Sequence, residues 1–318
     1  MSESPIDITI SEVGPRDGLQ NIKQIMPTEI KIRWINALAE SGLREIEVAS
    51  FVPPKMLPQM ADAGQVVRAA RSNPGLRVLA LAPNLKGAEL AAAAGATTIS
   101  MPVSASREHS FANLRKSPEE AVEEVRKVRA FCDTLPPESR PSLEVGISTA
   151  FGCSLQGLVP EDWVIELAVM VAEAGAESVG LSDGVGYANP VQVRRMFTAL
   201  QRELGEKAGA AHFHNTFGQG LANVVAALEV GVTTFDSSQG GIGGCPYSPG
   251  ATGNIVTEDL VFLLESMGLR TGVNIQRLLA ARAILIDGLP GEQIYGYVPN
   301  AGLPKGFAYA AEMVVTNA

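Results

Sequence analysis

Eight short, branched apolar runs recur along this chain, each followed by a longer amphipathic segment. The runs fall at 8–13, 45–49, 78–81, 98–101, 143–148, 178–181, 211–214 and 233–236. Helical spacing occupies 28–41, 57–71, 85–94, 118–131, 160–174, 190–204, 220–230 and 256–266. Strands that alternate with helices at intervals of roughly 30 to 40 residues pair in parallel, with the helices layered over them. Glycines Gly42, Gly95, Gly175 and Gly231 each stand just before a run, where a helix ends and the next strand begins. Eight such units most naturally close into a single (β/α)8 TIM barrel of the α/β class. An open doubly wound sheet is the competing arrangement. Against it, no Gly-rich nucleotide fingerprint follows the first run: Gly14-Pro15-Arg16-Asp17-Gly18 is too polar and wrongly spaced.

The barrel is expected over residues 1–275. A C-terminal extension, 276–318, begins with a helix running from Asn274 to Ile286, followed by Tyr295, Tyr297 and Pro299 before a Gly/Pro turn. This extension packs on the barrel or at a subunit interface, and a homodimer is the expected assembly. A net charge of −9 and a pI near 5.0 argue against nucleic acid or an acidic membrane surface as partner. No run approaches the 18 apolar residues of a membrane span. The first residues carry Glu3 and Asp7 and lack the basic and apolar regions of a signal peptide. Cys132, Cys153 and Cys245 form neither a disulfide framework nor a thiolate metal motif. A cytoplasmic location is expected.

In a barrel of this kind the C-terminal ends of the strands share one face, where such enzymes carry their chemistry. Polar residues collect there. The first strand leads from Glu12 to Arg16 and Asp17, the second supplies Glu47 and Ser50, and the sixth supplies Asp183. The seventh carries two of the three histidines, His212 and His214, which alternate with Phe213 and so point to the same side. Two imidazoles on one face suit a metal ion, with a pair of separately hydrogen-bonded core histidines as the alternative. The residue types alone leave the metal open: two histidines admit Zn2+, Fe2+ or Co2+, whereas added oxygen ligands favour Mg2+ or Mn2+. Asn254 reads either as an amide-oxygen ligand or as a helix cap.

The segments Gly14-Pro15-Arg16-Asp17-Gly18-Leu19-Gln20-Asn21, His212-Phe213-His214 and Gly241-Ile242-Gly243-Gly244-Cys245-Pro246-Tyr247 resemble those of the 3-hydroxy-3-methylglutaryl-CoA lyase family. Ser50-Phe51-Val52, Ala82-Pro83-Asn84-Leu85-Lys86-Gly87, Asp236-Ser237-Ser238 and Gly250-Ala251-Thr252-Gly253-Asn254 agree as well. The resemblance spans roughly residues 8 to 275. It places the chain among metal-dependent barrel lyases related to 2-isopropylmalate and homocitrate synthases. It implies that Asp17, His212, His214 and Asn254 coordinate a divalent cation, Mg2+ or Mn2+ before others, with Glu47 as an outer or water-mediated partner.

A lyase of this kind cleaves 3-hydroxy-3-methylglutaryl-CoA to acetyl-CoA and acetoacetate, with CoA entering as part of the substrate. Arg16 is the choice for stabilising the developing thioester enolate, since a fixed guanidinium offers several directed donors. Asp17 is open to proton relay as well as metal binding, two tasks that the sequence does not divide, and the resemblance assigns Cys245 to general acid/base work in a glycine-rich loop. Glu47 and Asp183 complete the expected catalytic set. Among basic and amide residues available for the CoA tail, Asn21 and Lys23 rank first because they belong to or follow the first motif. Lys55, Lys86, Arg107, Arg115 and Lys116 are also available.

Three departures touch the acyl group. Asp183 is followed by Gly184 where the best-known form of the family has threonine. Asn215 follows His214 where that form has aspartate, which removes an expected anionic partner for a histidine. The third histidine, His109, stands after the fourth strand, near the acyl pocket or on the surface. A lyase for another branched 3-hydroxyacyl-CoA, a related 2-oxo-acid aldolase or condensing enzyme, and a non-catalytic barrel are the alternative functions.

Overall fold

The computed structural model describes residues 6–244 and 252–313. Eight parallel strands close into a barrel in chain order: β1 (Thr9–Glu12), β2 (Glu45–Ser50), β3 (Arg77–Leu81), β4 (Thr98–Ser104), β5 (Ser142–Ser148), β6 (Ser178–Asp183), β7 (Ala208–Phe213) and β8 (Thr234–Ser237). Closure comes from β8 lying parallel to β1, with Ser11 opposite Asp236 and Glu12 opposite Ser237. Around the strands lie α1 (Thr28–Glu40), α2 (Ala63–Ala70), α3 (Leu85–Ala94), α4 (Arg107–Leu114), α5 (Pro118–Asp133), α6 (Glu161–Glu173), α7 (Pro190–Leu204), α8 (Gly220–Leu228) and α9 (Thr257–Ser266). Then follow α10 (Ile275–Gly288), α11 (Val298–Ala301) and α12 (Ala310–Met313). No described helix is long and apolar enough to cross a membrane.

Local chemistry sets these boundaries. Ser117 opens α5 with a capping box closed by Glu120, and Pro118 occupies the first turn, where its missing N–H costs nothing. Asn84, Asn189 and Asn274 cap α3, α7 and α10 through their side-chain oxygens. All four helix-ending glycines read from the sequence adopt left-handed φ, between 85° and 108°. Two expectations required correction. The helix expected at 57–71 is broken: a short turn at Pro58–Met60 precedes α2, and Asp62 between them accepts from Thr28 (2.8 Å) and pairs with Lys31 (2.8 Å). The segment after β4, where no helix was expected, forms α4 with Ser106 as its cap.

The hydrophobic core lies outside the strands, not along the barrel axis. On β5, Leu143, Val145 and Ile147 are buried beneath the helices, whereas Ser142, Glu144, Gly146 and Ser148 are only half-buried. Strand β6 repeats the pattern: Val179 and Leu181 are buried, Ser178, Gly180 and Ser182 are half-buried. Each fully buried Val, Ile or Leu stabilises this sheet–helix layer by about 1.5–3 kcal/mol. On these two strands the inward positions are small or polar, and a cavity of about 670 Å3 runs along the axis. The C-terminal segment belongs to the outer layer: α10 packs on α1, and Asp259 of α9 accepts the backbone N–H groups of Tyr297 and Val298.

Candidate metal centre at the C-terminal face of the barrel

After β1 the chain makes a five-residue π-helical turn, Gly14–Gly18, in which the Val13 carbonyl accepts N–H groups from Arg16, Asp17 and Gly18. Gly14 is needed for space, since a Cβ there would stand 2.5 Å from the Glu12 carboxylate. The turn sets Arg16 and Asp17 side by side over the barrel mouth. Arg16 Nη1 donates to Asp17 Oδ1 (2.8 Å) and its Nε donates to Glu47 Oε2 (2.6 Å), which tethers the guanidinium between β1 and β2. The partners of Arg16 are therefore Asp17 and Glu47. Glu12 turns away from the mouth. Its oxygens accept from Gly14 N (2.8 Å), Gln239 N (2.9 Å) and Thr257 Oγ1 (2.7 Å).

His212 and His214 do face the same side, with their Nε2 atoms 3.1 Å apart. His214 pairs with Asn254 as an isolated bridge, so a residue 40 positions away is held beside the strand end. Asn254 Nδ2 donates to Asp17 Oδ2 at 2.7 Å. The helix-cap reading of Asn254 falls, because α9 is capped at Val256 without a side-chain bond. Ligand atoms of Asp17, His212 and His214 lie within 4.8 Å of one another.

The charges around this cluster are mutually adjusted. Burial alone would raise the Asp17 carboxyl, but Arg16, both imidazoles and the Asn254 amide outweigh it and hold Asp17 below the usual carboxylate range. Burial would lower His212, yet Asp236 and Asp17 turn the balance and raise it. His214 is pushed down to about 4 by burial and by its neighbour His212. For Glu47 burial prevails over Arg16 and raises the carboxyl.

These residues fit a cation. His212 Nδ1 lies 3.0 Å from Asp236 Oδ2, and a proton held there leaves a lone pair on His212 Nε2, aimed at His214 Nε2. Two imidazole nitrogens and an ionised carboxylate then converge, with the Asn254 amide beside them donating to Asp17. Buried Asn254 Oδ1 and Glu47 Oε1 have no hydrogen-bond partner among the described residues, an arrangement costly unless something accepts their lone pairs.

Asp236 is the functional residue that sequence reasoning missed. It sits directly opposite His212 on the neighbouring strand, and it supplies the anionic histidine partner whose loss was expected from Asn215. Asn215 instead accepts the Gly220 N–H (3.1 Å) at the start of α8. Asp183 is not brought to the cluster: its oxygens accept from Tyr187 N (2.9 Å) and Ala188 N (2.8 Å) and shape the loop after β6. Lys23 is exposed and does not line the cavity, whereas Asn21 does and donates to the Gly244 carbonyl. Arg115 and Lys116 also line the cavity. His109 belongs to its wall, with Nδ1 2.8 Å from Ser104 Oγ, and burial lowers its pKa. Cys132 and Cys153 are buried. Cys245 lies outside the described residues.

A closed eight-stranded barrel with a carboxylate–imidazole cluster on its C-terminal face is a barrel with a candidate metal-binding site, consistent with a metal-dependent lyase. The HMGL-like family model matches residues 7–285. The mouse mitochondrial hydroxymethylglutaryl-CoA lyase is 42% identical over 291 residues, 91% of this chain and 88% of that protein. The hydroxymethylglutaryl-CoA lyase of Bacillus subtilis is 42% identical over 277 residues, 87% of this chain and 91% of that one. The structure of an HMG-CoA lyase from Acinetobacter baumannii, in complex with coenzyme A and 3-methylmalate, superposes with a TM-score of 0.88 at 35% identity. It covers 95% of this chain and 97% of that chain. The chain belongs to the HMG-CoA lyase family, enzymes of the carbon–carbon lyase class.

Proposed function

We propose that the protein is a divalent-cation-dependent lyase that splits 3-hydroxy-3-methylglutaryl-CoA, or a thioester of the same pattern, between C2 and C3. The observation that carries this reading is the convergence of Asp17, His212 and His214 at the mouth of a large cavity, with Arg16 fixed beside them. Asn254 is the fourth candidate ligand, and the two oxygen donors favour Mg2+ or Mn2+. When bound, the cation supplies Lewis acidity that lowers the barrier to removing the C3 hydroxyl proton.

The chain's own residues do the rest. Asp17, ionised at neutral pH, stands where it accepts that proton, held by Arg16, which Glu47 in turn anchors. As the C2–C3 bond breaks, its electron pair passes to the acetyl fragment, and C3 becomes a ketone carbon. Arg16 offers its guanidinium to the thioester enolate, whose charge it balances. The proton returns to C2, giving acetyl-CoA and a 3-oxo acid, acetoacetate for the methyl substrate. Cys245 is the proposed donor on grounds of resemblance, and the proton taken up by Asp17 restores its thiol. Asn21, Arg115 and Lys116 lie where the polar CoA arm would enter. A 2-oxo-acid aldolase needs no such arm, and a condensing enzyme need not bind CoA in this orientation.

The test is incubation of the Mg2+- or Mn2+-loaded protein with 3-hydroxy-3-methylglutaryl-CoA and larger analogues, following acetyl-CoA and 3-oxo acid together. Metal-dependent release of both in equal amounts is expected. Failure to cleave any 3-hydroxyacyl thioester overturns the reading.

A further inference from the structure

The cavity does not stop at the metal-ligand cluster. It continues down the barrel axis past Ser148, Gly146 and Glu144 of β5, four residues or about 13 Å of strand. A TIM barrel of the usual kind fills this axis with layers of bulky side chains. Here Val13, Leu79, Leu81 and Pro102 give the lining an apolar stretch, interrupted by Ser100, and the adjoining β5–β6 side carries Gly146, Gly180, Ser182 and Gly184. Arg77 closes the floor by pairing with Glu45 and Glu144, so the charges at the bottom are spent on one another.

Two of the glycines in this wall have no backbone or packing reason to be glycine. Gly180 does have one, because a Cβ there would stand 2.5 Å from the Ala210 carbonyl. At Gly146 a Cβ would make only ordinary contact with Ser182 Oγ at 3.4 Å, and at Gly184 it would meet nothing within 4 Å. Neither residue has the left-handed φ that favours glycine. What their missing side chains provide is room in the cavity that both line.

We infer that this axial cavity is a pocket for the C3 branch of the substrate, and that the protein acts on 3-hydroxyglutaryl-type CoA thioesters whose branch is an apolar chain of several carbons in place of a methyl. This rests on the lyase reading and sharpens its substrate. A methyl group reaching down from the cluster would leave the Leu79–Leu81–Pro102 wall uncontacted, whereas a longer chain covers it. The polar floor sets the limit: a branch that reached Glu45 and Glu144 would have to displace Arg77 from them. Gly146 and Gly184 are the specificity-determining positions. The chemistry is unchanged, since the branch stays on the ketone carbon and leaves in the 3-oxo acid.

The experiment compares 3-hydroxy-3-methylglutaryl-CoA with its 3-butyl analogue, using the full-length protein with Mg2+ supplied. Three additional buried methylenes correspond to about 50-fold in kcat/KM in favour of the butyl thioester. Gly146→Val and, separately, Gly184→Thr are expected to lower kcat/KM for the butyl substrate at least about tenfold more than for the methyl one. The 3-deoxy analogues, which cannot be cleaved, give the same ranking as dissociation constants. Equal or better use of the methyl thioester by the wild-type protein overturns the inference. So does a butyl preference that both variants leave untouched. Absence of turnover with every thioester, and no binding of the deoxy pair, overturns the lyase reading itself.

Discussion

Asp236 offers the sharpest test of the site, because its whole contribution passes through one contact. Its Oδ2 lies 3.0 Å from His212 Nδ1, and it lies directly opposite His212 across the β7–β8 pair. Asp236→Asn keeps the shape and can keep an acceptor oxygen towards Nδ1–H, so what changes is the charge. A carboxylate behind a metal-bound imidazole is worth 10- to 100-fold in metal affinity, about 1.4–2.7 kcal/mol. Titration calorimetry with Mn2+ at pH 8 should therefore show a Kd raised by that factor. The pH dependence should move too. Asp236 and Asp17 raise His212, so in the wild type protons compete with the cation as pH falls through that raised pKa. In Asp236→Asn that competition begins at a lower pH, and the deficit against wild type narrows on acidification. The control is Asn215→Asp, beside the histidine pair but bonded to Gly220 N, which should change Kd less than about twofold. An unchanged Kd in Asp236→Asn, or a larger effect at Asn215, would refute the placement of the anionic partner.

Replacing His212 by Ala should abolish Mn2+ binding at stoichiometric concentration, measured by metal analysis after gel filtration; full occupancy would remove it from the ligand set. Asp183→Ala strips the acceptors from two loop N–H groups, and stability by urea titration should fall by about 2–3 kcal/mol while metal affinity stays within about threefold. Glu45 is lifted to about 7 by burial and by Glu144, with Arg77 opposing. A carboxyl raised in the folded state penalises folding as pH climbs from its ordinary value of 4.5 to about 7, and the cost persists above. Glu45→Gln should therefore flatten the decline of stability between pH 5 and 8, a difference of order 3 kcal/mol at pH 8; parallel pH profiles would contradict this. Lys116→Ala should raise KM for the CoA thioester several-fold and leave the Mn2+ Kd unchanged, and an effect on metal alone would relocate the CoA arm.

Much of this architecture is legible in the residues because its signals are local. The repeated apolar runs and the glycines at 42, 95, 175 and 231 are each readable within a few positions, and they give the barrel. The paired histidines are legible for the same reason. Asp236 was not, since its role depends on which residue of β8 comes opposite His212, a fact of register. Asp183 misled in the opposite sense: a carboxylate at a strand's C-terminal end looks alike whether it faces a ligand or satisfies the loop that follows. Helix α4 escaped because Arg107–Leu114 carries only Phe111, Ala112 and Leu114 as apolar residues, too few to mark a face. Arg16 was placed correctly, but its partners come from the π-helical turn, whose geometry no periodicity reveals.

Strands β5 and β6 divide their labour by face, stability outward and chemistry inward. One consequence concerns how such a protein can change. Mutations at Gly146, Ser148 or Ser182 alter what the barrel encloses, while Leu143, Ile147, Val179 and Leu181, which hold the helices, stay as they are. Substrate range and folding are thus written on alternate letters of the same words, and a library randomised at those three inward positions, with Gly180 kept, would explore the one with little disturbance of the other.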